Sequence, residues 1–346
     1  MSRVIEHLAD LTGFRDRDVL DVSLVGALMD LLRPDEVGIH RVVGEDAQRC
    51  WLTRAIMKRG DTVARADPLW AEPGSLPLLD AFPARLACLH GEEAFELPGP
   101  PAVAYFPMAT EWQAVGVLEI TTSEPLTAED LRLVSSILRI YRNFQGLLDY
   151  SERDTLTGLL NRKTFDDGFL RVAAAAAPPT PRADAAAGTE LRRPLPGGAM
   201  WLAVIDIDHF KRVNDAFGHL IGDEVLLLLS RLMRSTFRFH DHLYRFGGEE
   251  FVVLMRCTDT GAAFTALERL RRNVAGYRFP QAEHITVSIG VTALRSGDSP
   301  SSAFERADRA LYHVKQNGRD QVADHDQLVA AGLLGESQRD SSVELF

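Results

Sequence analysis

The sequence predicts two mixed domains of the α+β or α/β class, joined by a long helix, and three observations lead to this prediction. A chain of 346 residues with 46% hydrophobic composition can bury more than one core. Helix-like and strand-like patterns alternate over residues 1–127, and an amphipathic stretch follows at 128–153. Beyond it, an apolar run at 199–205 and a hairpin pattern at 243–255 predict the sheet of a second domain.

The composition excludes several classes of protein. A net charge of −11 argues against coating of nucleic acid, because binding to a phosphate backbone needs a basic face. Three scattered cysteines give neither a disulfide framework nor a thiolate metal cluster. The N-terminus lacks the apolar core of a signal peptide, and no apolar run approaches the ~20 residues that span a bilayer. We therefore expect a cytoplasmic protein that binds neither membrane nor nucleic acid.

The first domain is expected to be a small sheet with helices. A helix is predicted over Val19–Leu32, and strands are predicted at Val37–Val43, Ala102–Met108 and Ala114–Thr121. The hairpin followed by a helix from Ala128 resembles the closing part of a GAF sensor domain, which implies an unidentified signal or ligand. Isolated metal-ligand types are most often packing or surface residues, so no role is assigned to His40, Cys88 and His90.

The connecting helix shows one apolar stripe. Three- and four-residue steps relate Leu131, Val134, Ile137 or Leu138, Tyr141, Phe144 and Leu148. This stripe has two interpretations: it pairs with its copy in a parallel dimer and passes a signal to the second domain, or it lies on its own domain. The heptads are too few to decide between them.

Two segments carry too little apolar side chain to offset the entropy of ordering. The first, at about 172–198, is rich in Ala and Pro and is interpreted as a flexible insertion within the second domain, 154–322. The second, 323–346, is interpreted as a loose C-terminal tail.

Carboxylates and glycines in the second domain predict metal-held phosphate chemistry. The apolar strand ends in Asp206, and the hairpin turn reads Gly247-Gly248-Glu249-Glu250. Glycines permit a tight turn that a ligand can approach closely, and carboxylate oxygens suit Mg²⁺ beside substrate phosphates.

Two further polar residues have side chains that suit recognition of a guanine base. Asn214 and Asp223 flank a turn that contains glycine. A carboxylate accepts hydrogen bonds from the guanine N1–H and amine, while an amide addresses the remaining edge. Adenine lacks those donors and would leave a buried carboxylate unpaired, so a site of this kind rejects it.

Together these motifs resemble a GGDEF-type diguanylate cyclase. The resemblance covers about residues 154–320 and rests on five motifs in order: Asp154–Arg162, Asp206–Asp223, Arg245–Phe251, Thr286–Val291 and Ala307–Asp320. It implies a palm-like mixed sheet ringed by helices. It also implies that two GTP are condensed to cyclic di-GMP and two pyrophosphates by a homodimer, because one domain holds one GTP.

The resemblance also implies roles for individual residues. The ligands of Mg²⁺ (or Mn²⁺) would be Asp206, the carbonyl of Ile207, Glu249 and Glu250. Either Glu249 or Glu250 would be the general base, and adjacent carboxylates titrate as a coupled set, so this choice stays open. Arg245 and Lys211 would be the other catalytic residues, and Arg245 would stabilise developing charge. GTP-binding positions would be Lys211, Asn214, His219, Asp223, Gly247, Gly248, Lys315 and Arg319. The aromatic residues Phe210, Phe246 and Phe251 are expected in the core.

An inhibitory product site is implied just upstream of the glycines. Arg238-Phe-His-Asp241 matches the family's R-x-x-D pattern, and Arg269 on the following helix would add a second contact. The alternative function is a catalytically silent receptor for cyclic di-GMP or GTP, or a signalling scaffold. Degenerate members usually lose the glycines or acids, and this chain keeps them.

Overall fold

The structure is a computed structural model that describes residues 17–44, 49–68, 71, 73–109, 114–176, 198–282 and 284–335. The described residues form two compact units, which divide between Ser151 and Glu152. Each unit has its own sheet, and each is described by itself.

The first unit is built on a five-stranded antiparallel sheet with the strand order β2-β1-β5-β4-β3. Its strands are β1 (Glu36–Val43), β2 (Cys50–Lys58), β3 (Phe95–Leu97), β4 (Ala102–Ala109) and β5 (Ala114–Thr122). Its helices are α1 (Arg17–Leu32), α2 (Pro83–Gly91) and α3 (Ala128–Glu152). The predicted first helix and three predicted strands are confirmed within a residue or two.

Alternation along the strands gives this sheet two covered faces. Helices α1 and α3 pack on one face, around Ile39, Phe106 and Leu118. Helix α2 packs on the other face, around Trp51 and Tyr105.

The apolar stripe of α3 is buried within the first unit. Val134, Ile137, Tyr141 and Leu148 belong to the same core cluster as α1 and the sheet. The Tyr141 hydroxyl and the Arg41 guanidinium both donate to Asp21, which is 1% exposed on α1. Of the two interpretations of this helix, the buried side chains favour packing on its own domain, whereas pairing in a dimer stays a prediction.

The second unit is built on a six-stranded mixed sheet with the order β11-β10-β7-β9-β8-β6. Its strands are β6 (Leu160–Asn161), β7 (Ala199–Ile207), β8 (His242–Gly247), β9 (Glu250–Cys257), β10 (Val287–Ala293) and β11 (Val322–Asp324). Its helices are α4 (Phe165–Ala176), α5 (Phe210–Phe217), α6 (His219–Thr236), α7 (Thr260–Gly276), α8 (Pro300–Gln316) and α9 (His325–Ala330). The expected mixed sheet ringed by helices is confirmed.

Strand β7 is buried on both faces, as its uninterrupted apolar run predicts. Ile205 and Ile207 face the cluster beneath α5, α6 and α7, whereas Leu202 and Val204 face the cluster beneath α4 and α8. The predicted core positions Phe210 and Phe251 are 5% and 0% exposed. Phe246 packs against the second cluster and stacks on Phe304, with ring centroids 5.0 Å apart. The end of β7 is thus rigidly placed.

The interpretation of 323–346 as a loose tail is wrong for its described part. Val322–Asp324 forms β11, a parallel partner of β10, and Asp324 caps helix α9 by accepting a hydrogen bond from Gln327 N at 2.9 Å. A three-residue edge strand has too few side chains to show an apolar period, which explains the error. Residues 336–346 lie outside the described part of the chain.

The start of the predicted insertion is helical. Helix α4 continues to Ala176, in agreement with the high helix propensity of alanine, and β7 begins at Ala199. The central part, 177–197, lies outside the described residues. No helix in the described residues combines the length and apolarity that crossing a membrane requires.

Candidate active site

The site forms where β7 ends beside the beginning of β9. The antiparallel register places Asp206 directly opposite Glu250. The backbone N–H of Ile207 donates to the carbonyl of Glu249 at 3.4 Å. Strand pairing thus brings Asp206 and Ile207 next to Glu249 and Glu250, although the two pairs are more than 40 positions apart along the chain.

The turn between β8 and β9 requires its glycines for their backbone conformation. Gly247 has φ 151° and Gly248 has φ 53°, a region that residues with a Cβ rarely adopt. A Cβ added at either position would meet no atom within 4 Å. The space next to the turn is therefore open to a ligand, as the sequence predicted.

Arg245 holds this turn to the start of the second unit. Its Nη2 donates to the carbonyl of Gly248 at 2.9 Å, and its Nη1 donates to both carboxylate oxygens of Asp154 at 3.1 and 3.2 Å. Asp154 also accepts hydrogen bonds from the backbone and hydroxyl of Thr157. Burial alone would raise the pKa of Asp154, but the hydrogen bonds from Thr157 and Arg245 outweigh burial and lower it. The predicted action of Arg245 on developing charge stays a prediction.

Lys315 is the cation at the centre of the site. It lies near the end of α8, and its Nζ is 2.8 Å from Oδ2 of Asp206. Burial raises the pKa of Asp206, and the charges of Lys315 and Arg319 lower it only in part. Burial also raises the pKa values of Glu249 and Glu250, and the negative charge of Asp206 adds to both shifts. The three carboxylates therefore destabilise one another, and a further cation would relieve that repulsion.

The donors at this site suit a hard divalent cation. Carboxylate and carbonyl oxygens are the ligands that Mg²⁺ and Mn²⁺ prefer. Within the described residues, no three Asp, Glu, His or Cys side chains by themselves form a cluster able to hold a metal. Asp206, Glu249 and Glu250 therefore do not form such a cluster by themselves, and the predicted ligand set, which adds the Ile207 carbonyl, stays a prediction.

The predicted base-reading residues lie on the helix pair α5 and α6. Asn214 is half-buried near the end of α5, Gly218 joins the helices with φ 82°, and Asp223 is exposed on α6. A Cβ at Gly222 would lie 2.0 Å from Oδ1 of Asn214, so the amide rests directly on that glycine. The Asn214 amide can therefore occupy this position only because residue 222 has no side chain.

The predicted phosphate contacts lie on three separate elements. Lys211 is exposed in the first turn of α5, Lys315 binds Asp206, and Arg319 follows α8 with φ 62°. Arg319 lies close enough for its charge to lower the pKa of Asp206. His219, the first residue of α6, is exposed.

Two carboxylates near the site were missed in the sequence. Asp208, only two residues after Asp206, is 5% exposed and accepts hydrogen bonds from the hydroxyls of Thr286 and Ser288. Asp308 contributes to the raised pKa of Glu250. It precedes Lys315 by seven residues, which is two helical turns, so helical spacing could have identified it.

The predicted inhibitory residues gather at the turn between α6 and β8. Oδ2 of Asp241 accepts from Arg238 N at 2.9 Å, and Asp241 N donates to the Arg238 carbonyl at 3.0 Å. Arg269 on α7 donates to the carbonyl of Thr236 at 2.6 Å. Burial raises the pKa of Asp241 to about 6, although the charges of Arg238 and Arg269 oppose this. Oδ2 of Asp241 is engaged by this turn, whereas Oδ1 is buried without a hydrogen-bond partner among the described residues, and contact of Asp241 with a product stays a prediction.

Part of the chain is similar in sequence to known proteins. Residues 184–321 match the family described as diguanylate cyclase, GGDEF domain. The chain is 42% identical to the diguanylate cyclase DgcP of Pseudomonas aeruginosa over 172 residues, which are 49% of this chain and 23% of that protein. It is 37% identical to a diguanylate cyclase of Vibrio cholerae over 185 residues, which are 53% of this chain and 52% of that protein.

Among solved structures, the chain is similar to the GGDEF domain of DgcB from Caulobacter crescentus in complex with c-di-GMP. The identity is 33%, the TM-score is 0.43, and the match covers 51% of this chain and 96% of that one. The chain spans about a quarter and about half of the length of the two curated relatives. The family match covers the predicted residues of the candidate site and less than half of the chain. A GAF-like first unit stays a prediction.

We expect the Asp154→Asn variant to loosen the glycine turn. Hydrogen bonds to charged groups contribute about 1.5–3 kcal/mol, so the free energy of unfolding should fall by roughly that amount near neutral pH. The pKa of Asp154 is lowered in the folded state, so its contribution is fully present above the ordinary pKa of about 3.9. The contribution is lost as the pH falls through the lower folded pKa. Urea unfolding at several pH values measures both effects.

The Asp259→Asn variant is the matched control. Asp259 caps α7 by accepting from Ala262 N, and asparagine caps a helix about as well as aspartate. Equal stability of the two variants at neutral pH would show that the Asp154–Arg245 contact does not support the fold.

Proposed function

We propose that the second unit is a diguanylate cyclase, which condenses two GTP into cyclic di-GMP and releases two pyrophosphates. The observation that carries this proposal is the pairing of Asp206 with Glu250 across β7 and β9, next to the Lys315 ammonium. The GGDEF family match and the relatives named diguanylate cyclases support it.

Base selection is assigned to the α5–α6 pair. Asp223 would accept from N1–H and the exocyclic amine of guanine, and the Asn214 amide would bind the remaining edge. His219 would lie beside the nucleotide. Adenine would leave these groups unpaired, so GTP is the proposed substrate.

Phosphate binding is assigned to cations around the carboxylates. Lys211, Lys315 and Arg319 would contact the triphosphate, while the open Gly247–Gly248 turn leaves room for it. Asp206, Glu249, Glu250 and the Ile207 carbonyl would hold Mg²⁺ or Mn²⁺. When bound, this ion screens the phosphate charge and lowers the pKa of the attacking hydroxyl.

The reaction is a nucleotidyl transfer that takes place twice. The 3′-hydroxyl of one GTP gives its proton to Glu249 or Glu250, its oxygen forms a bond to the α-phosphorus of the other GTP, and the bond to pyrophosphate breaks. Burial raises the pKa of both glutamates, and a higher pKa makes a carboxylate a stronger general base. Each domain has one base site, so the two GTP require two copies of the chain, and a homodimer is the proposed active form.

Regulation is proposed at two places. The first unit would be a GAF-like sensor for a signal or ligand of unknown identity. A small molecule that binds it would raise the melting temperature of the full chain. The turn that contains Arg238 and Asp241, together with Arg269, would bind the product and slow the enzyme.

Incubation of the purified chain with GTP and Mg²⁺ tests the activity. We expect cyclic di-GMP and pyrophosphate in a molar ratio of one to two. Chromatography measures the cyclic di-GMP, and an enzymatic assay measures the pyrophosphate. The Glu250→Ala variant should lose at least about a hundredfold in rate, because it removes a ligand or the base. A folded dimer that releases no pyrophosphate from GTP would refute the proposal and favour a silent receptor.

The Gly222→Ala variant tests the base site. The added methyl group overlaps Oδ1 of Asn214, so the amide has to move away from its position. We expect KM for GTP to rise about tenfold and the preference for GTP over ATP to narrow, measured by initial rates. Gly276→Ala is the control, because a Cβ there meets no atom within 4 Å. If both variants kept the wild-type KM and preference, the role of Asn214 in reading the base would be wrong.

The Arg238→Ala variant tests product inhibition. Loss of the guanidinium should weaken the binding of cyclic di-GMP and raise the amount of product that accumulates, measured by calorimetry and by progress curves. The exposed Arg231 on α6 supplies the control, Arg231→Ala. Unchanged inhibition in Arg238→Ala would remove this site from the proposal.

A further inference from the structure

Three consecutive residues after helix α8 have a left-handed backbone. The φ angles are 113° at Gly318, 62° at Arg319 and 47° at Asp320. Glycine adopts this region freely, but a residue with a Cβ is strained there, at a cost of about 1–3 kcal/mol. Such a conformation persists only where the surroundings hold it, and it often occurs at ligand clamps.

The contacts that hold this turn come from three elements. The N–H of Arg319 donates to the carbonyl of Val314 at 3.0 Å, next to Lys315 on α8. Nη1 of Arg271 on α7 donates to Oδ1 of Asp320 at 2.7 Å. The N–H of Asp320 donates to Oδ2 of Asp208 at 3.1 Å. Asp208 is therefore the link between this turn and the end of β7.

Asp208 is itself rigidly placed. It accepts hydrogen bonds from the hydroxyls of Thr286 and Ser288, each at 2.6 Å, and its backbone N–H donates to the carbonyl of Thr286 at 2.9 Å. Its side chain is buried, and both carboxylate oxygens are used by these partners. Because both oxygens of this carboxylate already accept hydrogen bonds from the protein, Asp208 acts by positioning its partners and needs no contact with substrate.

We propose that Asp208 is a positioning residue, which holds the left-handed turn and thereby keeps Arg319 next to the end of β7. The inference rests on the proposed function in one respect, namely that Arg319 contacts the triphosphate. It predicts that Asp208 affects the binding of phosphates and leaves recognition of the base intact.

The test is a double-mutant cycle on nucleotide affinity. The ligand is the α,β-methylene analogue of GTP with Mg²⁺, because it cannot release pyrophosphate, and binding is measured by calorimetry. Asp208→Asn keeps the size of the side chain but loses one acceptor of hydrogen bonds. We expect it to weaken binding about tenfold, which is about 1.4 kcal/mol. Binding of guanosine should change less than twofold.

Coupling to Arg319 decides the proposal. If Asp208 acts through Arg319, then Asp208→Asn has little effect in a chain that already carries Arg319→Ala, and the double variant binds within about twofold of Arg319→Ala alone. Effects that simply add would overturn the inference. Asp259→Asn, the same chemical change at an exposed helix cap, should bind like the wild type.

A second readout requires neither nucleotide nor activity. Hydrogen exchange of the peptide over 317–321 should accelerate in Asp208→Asn, because the Asp320 N–H then has at best a neutral amide oxygen in place of a carboxylate as its acceptor, and should stay unchanged in Asp259→Asn. Unchanged exchange in Asp208→Asn would overturn the inference even if GTP is not the substrate. If the wild type fails to bind the analogue, the proposed function fails, and exchange still tests the turn.

Milder variants cover the case in which Asp208→Asn does not fold. Ser288→Ala and Thr286→Val each remove one hydroxyl that Asp208 accepts from, and each leaves the carboxylates of the site in place. We expect each to give a smaller change in exchange over 317–321 and a two- to fivefold loss of analogue affinity. Wild-type exchange and affinity in both would refute the proposal.

Discussion

The second unit depends on the antiparallel register that places Asp206 opposite Glu250. Burial raises the pKa of Asp206, Glu249 and Glu250, and the charge of Asp206 adds to the shift of both glutamates, so their charged forms are less stable here than they would be in water. The apolar packing on both faces of β7 and β9 stabilises this arrangement. Core packing thus supports a locally unfavourable group that suits cation binding.

Cations approach these carboxylates from helix α8 and the turn that follows it. Lys315 reaches Asp206 from a helix whose buried face contacts β7 and β10, and Arg319 stands in a turn that Asp208 and Arg271 hold. Opposite charges are therefore supplied by different elements.

Much of this site could be predicted from the sequence, because its signals are local. The apolar run of β7, the paired glycines and the spacing of Asn214 from Asp223 each lie within one short segment. The remaining features depend on distant contacts: Arg245 meets a carboxylate 91 residues earlier, and Asp208 meets a hydroxyl 80 residues later. The three- and four-residue spacing of apolar residues in α3 predicted a helix with one buried face. That spacing does not identify the surface that covers this face.

The contact of Asp154 with Arg245 sets the latest residue at which a shortened chain can begin. The family match starts at residue 184, and every predicted ligand follows it. A fragment cut at that point would keep the whole set of motif residues from Asp206 onwards and yet lose the carboxylate that steadies the glycine turn. Inactivity of such a fragment would therefore reflect a missing support and carry no information on the chemistry of the intact unit.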